Sequence, residues 1–181
     1  MVHEFRFIGG SLGCAEGELI CRGFEKAAEL GIGAVVVAKS GGARMQEGTL
    51  ALMQMAKVSA AVARFKQTGL PYISVCLDPT YGGTTASYAM QGDIRIAMRS
   101  ARIGFAGENV ILNTVFKMDQ AAYDRDCPPG FQSASFVLQH GQVDLLIDDV
   151  NELDGTVAKI LSVFYLRQVQ SPLSTESLST L

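Results

Sequence analysis

Short apolar runs that each lead into a glycine pair dominate the hydrophobic pattern of the first half of the chain. Residues 34–38, Ala-Val-Val-Val-Ala, predict a buried strand that runs into Ser40-Gly41-Gly42. Residues 47–66 have helical spacing of small and apolar positions. This spacing predicts a helix whose buried face carries Leu52, Met55, Ala56, Ser59 and Ala63.

The same pattern then recurs once. Gly69-Leu70-Pro71 breaks the first helix, residues 72–77 predict a strand, and Gly82-Gly83 precedes a second helical stretch at about residues 84–90. Further strands are predicted at 93–98, 102–105 and 143–147, and further helices at 16–30 and 150–168. Alternating strands and helices indicate an α/β fold with a largely parallel sheet covered on both faces.

Length and composition restrict the class of protein. The chain has 181 residues, of which 48% are hydrophobic, yet no apolar run reaches the roughly 18 to 20 residues that cross a bilayer. The length suits one domain, predicted over residues 1–170, with a disordered tail over residues 171–181. The N-terminal residues do not resemble a secretory signal, so we expect a cytoplasmic protein, or one of an organelle interior such as the plastid stroma.

Charge and metal-binding residue types exclude two further classes. The formal net charge is −3 and the basic residues are scattered, which argues against a nucleic-acid-binding surface. The four cysteines form no Cys-x-x-Cys pair and the chain has two histidines, so no metal site is predicted. We expect reduced, mostly buried thiols, and histidines (His3, His140) with structural or solvated roles.

The candidate chemistry lies in the two glycine pairs. A Gly-Gly pair between a strand and a helix leaves consecutive backbone N–H groups without side-chain cover, near the positive end of the helix dipole. Such donors stabilise an oxyanion, typically by about 3 to 4 kcal/mol each. Gly41-Gly42 and Gly82-Gly83 fit this description, although tight turns or close helix–strand packing explain a single pair equally well.

Several longer segments carry a resemblance to a known family. They are Ser40-Gly41-Gly42-Ala43-Arg44-Met45-Gln46-Glu47, Leu52-Met53-Gln54-Met55-Ala56-Lys57, Asp78-Pro79-Thr80-Tyr81-Gly82-Gly83-Thr84-Thr85, Ile103-Gly104-Phe105-Ala106-Gly107 and Pro128-Pro129-Gly130-Phe131-Gln132. These segments resemble the β subunit of bacterial and plastid acetyl-CoA carboxylase carboxyltransferase, and the resemblance covers most of residues 5–165.

The resemblance implies a crotonase-like spiral of ββα units that binds acyl-CoA and transfers a carboxyl group to acetyl-CoA, forming malonyl-CoA for fatty-acid or polyketide synthesis. It implies biotin on a separate carrier protein, an α-type partner subunit, a hetero-oligomer and no metal in this chain. Gly41 and Gly42 become the catalytic oxyanion-binding amides. The implied substrate-binding residues are Gly82, Gly83, Arg44 and Gly107.

Residue types alone leave several roles open. Arg44 fits either a CoA phosphate or a carboxylate pair that holds the glycine loop in place. Asp78, Asp93 and Glu47 stand near the motifs as possible bases, while capping or surface positions explain each equally well. None of the three is assigned to proton transfer.

Three departures from the family pattern bear on function. Typical β subunits carry an N-terminal zinc ribbon ahead of the segment with which this chain begins, which predicts a shortened form, a split product or a specialised relative. Glu108-Asn109 stands where the family usually has Pro-Arg. Residues 117–127 are longer than the usual link, which predicts an altered loop over the cleft or at an interface.

These departures leave two alternatives to a carboxyltransferase subunit. The same oxyanion chemistry can run toward loss of carbon dioxide from a malonyl thioester, and a shortened relative can act as a non-catalytic regulator or scaffold. High apolar content, together with a cleft that needs a second wall, predicts an exposed apolar patch and an obligate oligomer.

Overall fold

A parallel β-sheet lies at the centre of the protein, which we analysed as a computed structural model describing residues 1–170, with side chains to residue 165. The strand order is β1-β2-β3-β5, and β4 pairs with the end of β2. All pairings are parallel, as the alternating pattern predicts. The strands are β1 (Ala34–Ser40), β2 (Tyr72–Tyr81), β3 (Ile94–Met98), β4 (Ile103–Gly104) and β5 (Leu145–Ile147). The predicted tail, residues 171–181, lies outside the described residues.

Helices cover both faces of the sheet. They are α1 (Cys14–Leu30), α2 (Thr49–Lys66), α3 (Glu108–Thr114), α4 (Gln120–Asp126), α5 (Ala134–Gln139) and α6 (Leu153–Gln170), with short 3-10 helices at Ile8–Gly10, Met45–Glu47, Tyr88–Met90 and Val150–Glu152. Since side chains alternate along a strand, successive residues of β2 point to opposite faces of the sheet and pack in two separate hydrophobic cores. The two-sided cover confirms the predicted α/β class. None of the helices among residues 1–170 is both long and apolar enough to cross a membrane.

An aromatic cluster holds α1 and α2 on one face of the sheet. Phe24 of α1 packs edge-on against Tyr72 of β2, with ring centroids 4.9 Å apart, and lies 5.4 Å from the ring of Phe65 of α2. All three side chains are buried. On the opposite face, Ile73 and Val75 pack in a second core that includes apolar side chains of α6.

Helix α2 forms as predicted, but the predicted buried face is wrong. Leu52 is 53% exposed, and Ala56 and Ala63 also face outward. The buried positions are Ala51, Gln54, Val58, Ala61, Val62 and Phe65. Both sets have helical spacing, so periodicity alone does not choose between them, and the packing of Phe65 against α1 turns the helix to the second set.

The second predicted helix, at residues 84–90, is wrong. The chain there forms successive turns and ends in the 3-10 helix Tyr88–Met90. Thr85 Oγ1 donates to the carbonyl oxygen of Gly82, and Ser87 Oγ donates to that of Gly83. Side-chain hydroxyls thus take backbone acceptors that a regular helix would use, the usual reason why serine and threonine favour turns.

Two further segments have structures that the sequence analysis did not predict. Residues 1–3 lie along the edge of β1, where the His3 N–H donates to the Val37 carbonyl over 3.1 Å. The stretch predicted as an altered loop contains α4. The ring of Tyr123 in α4 packs edge-on against Phe116, with centroids 5.4 Å apart. This segment is therefore a folded element with its own apolar contact.

Matched substitutions on α2 test the corrected buried face. Ala61 is 2% exposed, whereas Ala56 of the same helix faces outward. We expect Ala61→Asp to lower the free energy of unfolding by about 3 kcal/mol or more, because it buries a carboxylate without a partner. Ala56→Asp should lower it by less than about 1 kcal/mol. Urea denaturation of both variants measures the difference, and equal losses would contradict the assignment.

Candidate functional site

The two glycine pairs meet at one edge of the sheet. They follow β1 and β2, which are neighbouring parallel strands, so their carboxyl ends lie side by side. We call residues 40–44 the first glycine loop and residues 82–85 the second glycine loop. A Cβ on Gly42 would lie 3.2 Å from the Cα of Gly82, and both residues have positive φ angles, 114° and 59°. The backbones therefore touch at a point where side chains do not fit.

The backbone amides of these loops differ in whether they are free. The Gly41 N–H donates to the Gly9 carbonyl over 2.9 Å, and the Gly82 N–H donates to the Gly104 carbonyl over 3.2 Å. The Gly42 N–H donates to Ser40 Oγ over 3.1 Å. In this conformation the Gly41 and Gly42 N–H groups both have acceptors within the protein, and their expected oxyanion-binding role stays a prediction.

Two other amides of these loops lie at the same place, Ala43 half-buried and Gly83 buried. Within the part of the chain that the structure describes, the Ala43 and Gly83 N–H groups have no hydrogen-bond acceptor. A Cβ on Gly82 would lie 3.8 Å from the Ala43 nitrogen, and one on Gly42 would lie 3.5 Å from the Gly83 nitrogen. Sequence reasoning missed Ala43, because a glycine motif marks a close approach but does not show where each N–H points.

The expected support from helix dipoles is wrong for both loops. The 3-10 helix Met45–Glu47 separates the first glycine loop from α2, whose N-cap is Gly48. The second glycine loop leads into turns and not into an α-helix. Stabilisation of an anion here would come from individual N–H groups and not from a long helix.

Arg44 is the last residue of the first glycine loop, and it is 5% exposed. Its guanidinium contacts the carboxylates of Glu16 at 2.6 Å and Glu47 at 3.0 Å, and it donates to both Oγ and the carbonyl of Ser11. Burial and these partners leave little access for a CoA phosphate. The observed contacts are those of the alternative, a carboxylate pair that holds the loop, and the substrate-binding role of Arg44 stays a prediction.

The two carboxylates also cap α1. Glu16 Oε2 accepts the Gly13 N–H at 3.2 Å, and Glu47 Oε2 accepts the Cys14 N–H at 2.6 Å. The Cys14 N–H, assisted by Arg44, holds the pKa of Glu47 below its usual range. Hydrogen bonding to Glu16, and then to Glu47, raises the pKa of Arg44. Arg44 and Glu47 are therefore charged at neutral pH, and the cluster fixes the start of α1 to the first glycine loop.

The other sequence candidates have structural partners. Asp78 accepts the backbone N–H of Arg102 at 3.0 Å. Asp93 accepts the backbone N–H of Tyr72 at 2.8 Å and forms an ion pair with Lys66. His3 contacts the hydroxyl of Tyr88, and burial lowers the pKa of His3. His140 is exposed and stacks on Phe136. Among the described residues, no group of three or more His, Cys, Asp or Glu side chains is placed to hold a metal ion.

The four cysteines are free thiols in the structure. Cys21 and Cys76 are buried, as expected, whereas Cys14 and Cys127 are half-buried. Burial raises the pKa of Cys76 to about 12. Cys76 is therefore a protonated core residue at neutral pH and has no role in the candidate site.

A second feature borders the second glycine loop. Gly107 caps the start of α3, and a Cβ on it would lie 3.7 Å from the ring of Tyr81. The adjoining cleft of about 400 Å³ lies between β4, α3 and the Phe131–Phe136 aromatic pair. Glu108, at the first position of α3, pairs with Arg102 at 3.3 Å. The Glu108 carboxylate thus has a cationic partner close by, and the substrate-binding role of Gly107 stays a prediction.

The parallel sheet with helices on both faces has the fold of the crotonase-like carboxyltransferases, as comparison with solved structures shows. The structure is similar to a Pseudomonas malonate decarboxylase hetero-tetramer in complex with malonate, with a TM-score of 0.73, 25% identity, and coverage of 97% of this chain and 70% of that one. It is also similar to transcarboxylase 12S with methylmalonyl-coenzyme A and methylmalonic acid bound, with a TM-score of 0.72, 26% identity, and coverage of 89% and 31%.

Residues 1–130 match the carboxyl transferase domain family, and the chain belongs to that family. It is 51% identical over 161 residues to the acetyl-coenzyme A carboxylase carboxyl transferase subunits beta/alpha of Salinispora arenicola, covering 89% of this chain and 27% of that protein. It is 50% identical over 162 residues to subunit beta of Brucella anthropi, covering 90% and 51%. The chain thus spans about half the length of the β subunit that it matches.

The pH dependence of stability tests the Glu47 cap. A lowered folded-state pKa means that Glu47 contributes stability above its unfolded pKa of about 4.3, and that this contribution is lost as the pH falls through the folded-state value. We expect the free energy of unfolding of Glu47→Gln to fall below that of the parent protein at pH 7. The two values should converge in acid, because a protonated Glu47 and a glutamine make similar contacts.

Glu25→Gln on the exposed side of α1 is the control. It should change the free energy of unfolding by less than about 0.5 kcal/mol at both pH values. A constant difference between Glu47→Gln and the parent from pH 7 to acid would show that the charge on Glu47 is not what holds the cap.

Proposed function

We propose that the chain forms the acyl-CoA-binding part of a biotin-dependent carboxyltransferase that transfers a carboxyl group from carboxybiotin to acetyl-CoA. The product is malonyl-CoA, for fatty-acid or polyketide synthesis. The observation that carries this proposal is the contact between the glycine loops, beside which the Ala43 and Gly83 N–H groups have no acceptor among the described residues. Family membership and the names of the relatives support it.

The chemistry of a thioester explains why backbone donors suffice. Loss of a proton from the acetyl carbon places negative charge on the thioester oxygen, and N–H groups aimed at that oxygen stabilise the enolate. We assign the donor role to Ala43 and Gly83, with Gly42 and Gly82 providing the close approach of the two loops. Gly41 supports the loop through its bond to Gly9.

Biotin supplies the transferable carboxyl group when its carrier protein is bound. The glycine loops fit a thioester oxygen, and we place the biotin-binding wall on an α-type partner. We assign no general base in this chain, because Asp78, Asp93 and Glu47 are held by the structural bonds described above. We place the complex in the cytoplasm of a bacterium, or in the stroma of a plastid.

A malonyl-thioester decarboxylase subunit is the second candidate. The similarity to malonate decarboxylase over 97% of the chain favours it. Decarboxylation forms the same enolate by loss of carbon dioxide, so the same amides would serve it. Biotin dependence distinguishes the two, since only carboxyl transfer requires it. A regulator or scaffold would bind the partner without turnover.

Isothermal titration of acetyl-CoA and malonyl-CoA, with and without a candidate α-type subunit, tests the site. Gly42→Val should abolish binding or weaken it more than about tenfold, because the new side chain forces the loops apart. Gly69→Val is the control, since Gly69 also has a positive φ, 73°, but has open space around it and lies at the turn after α2. It should lower stability without changing the thioester affinity.

Each outcome of the titration has a distinct meaning. Binding that tightens with the partner and is lost only in Gly42→Val supports the proposed site. Equal loss in both variants would assign the effect to backbone strain. The absence of thioester binding in the parent protein with its partner would leave the scaffold as the better account.

Exposed apolar side chains near the glycine loops support a partner surface. Met45 is 90% exposed, Phe105 is 76% exposed and Leu50 is 58% exposed. Burial of such side chains contributes roughly 25 cal/mol per Å² to association. We expect Phe105→Asp to prevent complex formation with an α-type subunit, as measured by sedimentation velocity. Val163→Asp, at a 66% exposed position of α6, should leave the complex intact. A complex that forms normally with Phe105→Asp would place the interface elsewhere.

A further inference from the structure

A pair of buried hydroxyls lies beneath the contact between the glycine loops. Ser40 ends β1 and Thr84 belongs to the second glycine loop, and both are 0% exposed. Thr84 Oγ1 donates to Ser40 Oγ over 2.8 Å, and the Gly42 N–H donates to the same Ser40 Oγ over 3.1 Å. One oxygen therefore receives hydrogen bonds from both loops.

This hydroxyl pair is the one directional link between the loops. The structure records no other hydrogen bond between residues 40–44 and residues 82–85. Their remaining contacts are van der Waals packing, of Gly42 against Gly82 and of Ala43 against Gly83. Such packing limits how closely the backbones approach, but it does not fix the rotation of a glycine peptide, which has unusual conformational freedom.

The surroundings hold the pair in place. Ser40 lies opposite Thr80 of β2, after a shift in register between Ala38 and Ser40. Thr80 Oγ1 donates to carbonyl oxygens of both strands, those of Ala38 and Leu77. The ends of β1 and β2 are thus fixed separately from the loops above them. Ser40 and Thr84 transmit that fixed position to the Gly42 peptide.

We propose that Ser40 and Thr84 are positioning residues that set the orientation of the Gly42–Ala43 backbone relative to the Gly83 amide. This inference rests on the proposed function, because the amides matter only if they bind a thioester oxygen. Neither hydroxyl touches substrate. Their effect is to keep two donors from different loops at a separation that one oxygen can use, and misplacement by about 1 Å can reduce turnover by about a hundredfold.

Isosteric substitution in the assembled carboxyltransferase complex tests the proposal. Thr84→Val removes the hydroxyl and keeps the shape, and we expect kcat to fall by about tenfold to a hundredfold. The KM for acetyl-CoA should change by less than about twofold, because the loss acts on transition-state stabilisation. Thr84→Ser restores the hydroxyl and should return kcat to within about threefold of the parent.

A stability-matched control separates positioning from folding. Tyr72→Phe also removes a buried hydroxyl, but one that donates to the Tyr88 carbonyl and does not contact the glycine loops. It should lower the melting temperature with little change in kcat. Ser40→Ala should reproduce the kcat loss of Thr84→Val, and the double variant should lose little more than either single variant, since the two hydroxyls act as one unit.

The outcomes distinguish this proposal from the proposed function. If the parent complex transfers carboxyl groups while both Thr84→Val and Ser40→Ala keep its kcat, the positioning role is wrong and the function stands. If the parent complex neither binds acyl-CoA nor turns over, the proposed function itself fails. Should Thr84→Val not fold, the kcat of Ser40→Ala decides, because Ser40→Ala removes the shared acceptor alone.

Discussion

The buried guanidinium of Arg44 is the constraint on which the candidate site depends. A buried charge is tolerated only when its hydrogen-bonding directions are satisfied, and removal of a partner typically costs about 3 to 5 kcal/mol. Here the partners come from the turn at Ser11, from Glu16 of α1 and from Glu47. A Cβ on Gly13 would lie 2.5 Å from Glu47 Oε1, so even the residue before α1 is restricted by this cluster.

This anchor explains how a loop rich in glycine can hold a defined geometry. Arg44 fixes the end of the first glycine loop, and the Gly41 N–H fixes its start to Gly9. The second loop is tied to β4 through the carbonyl of Gly104, which accepts from the Gly82 N–H and from Thr85 Oγ1. These bonds restrict the conformational freedom that glycine would otherwise give to the two loops. The contact between the loops still has no side chains, which leaves the backbone accessible to a ligand.

The sequence predicted the strands and most helices better than it predicted which face of a helix is buried or which N–H groups are bonded. The β-branched run at 34–38 and the parallel order of strands followed from local pattern, since buried strands have few alternatives. The buried face of α2 did not follow from local pattern, because apolar residues lie on both sides of the helix. The packing of Phe65 against α1 determines which side is buried. The failed helix at 84–90 had apolar and small residues but also hydroxyls that bond backbone carbonyls. The glycine pairs marked the site correctly as a close approach, yet the availability of an amide depends on tertiary partners such as Gly9.

A site made of backbone donors has a consequence for specificity. Amides at Ala43 and Gly83 would recognise the charge on a thioester oxygen, and that charge is the same whether the enolate arises by proton loss or by decarboxylation. This shared intermediate is consistent with a common fold among structures named for malonate decarboxylase and transcarboxylase. Reaction choice must therefore depend on groups around the donors. In this chain the groups around the donors include the Arg102–Glu108 pair, helix α4 and the exposed apolar side chains.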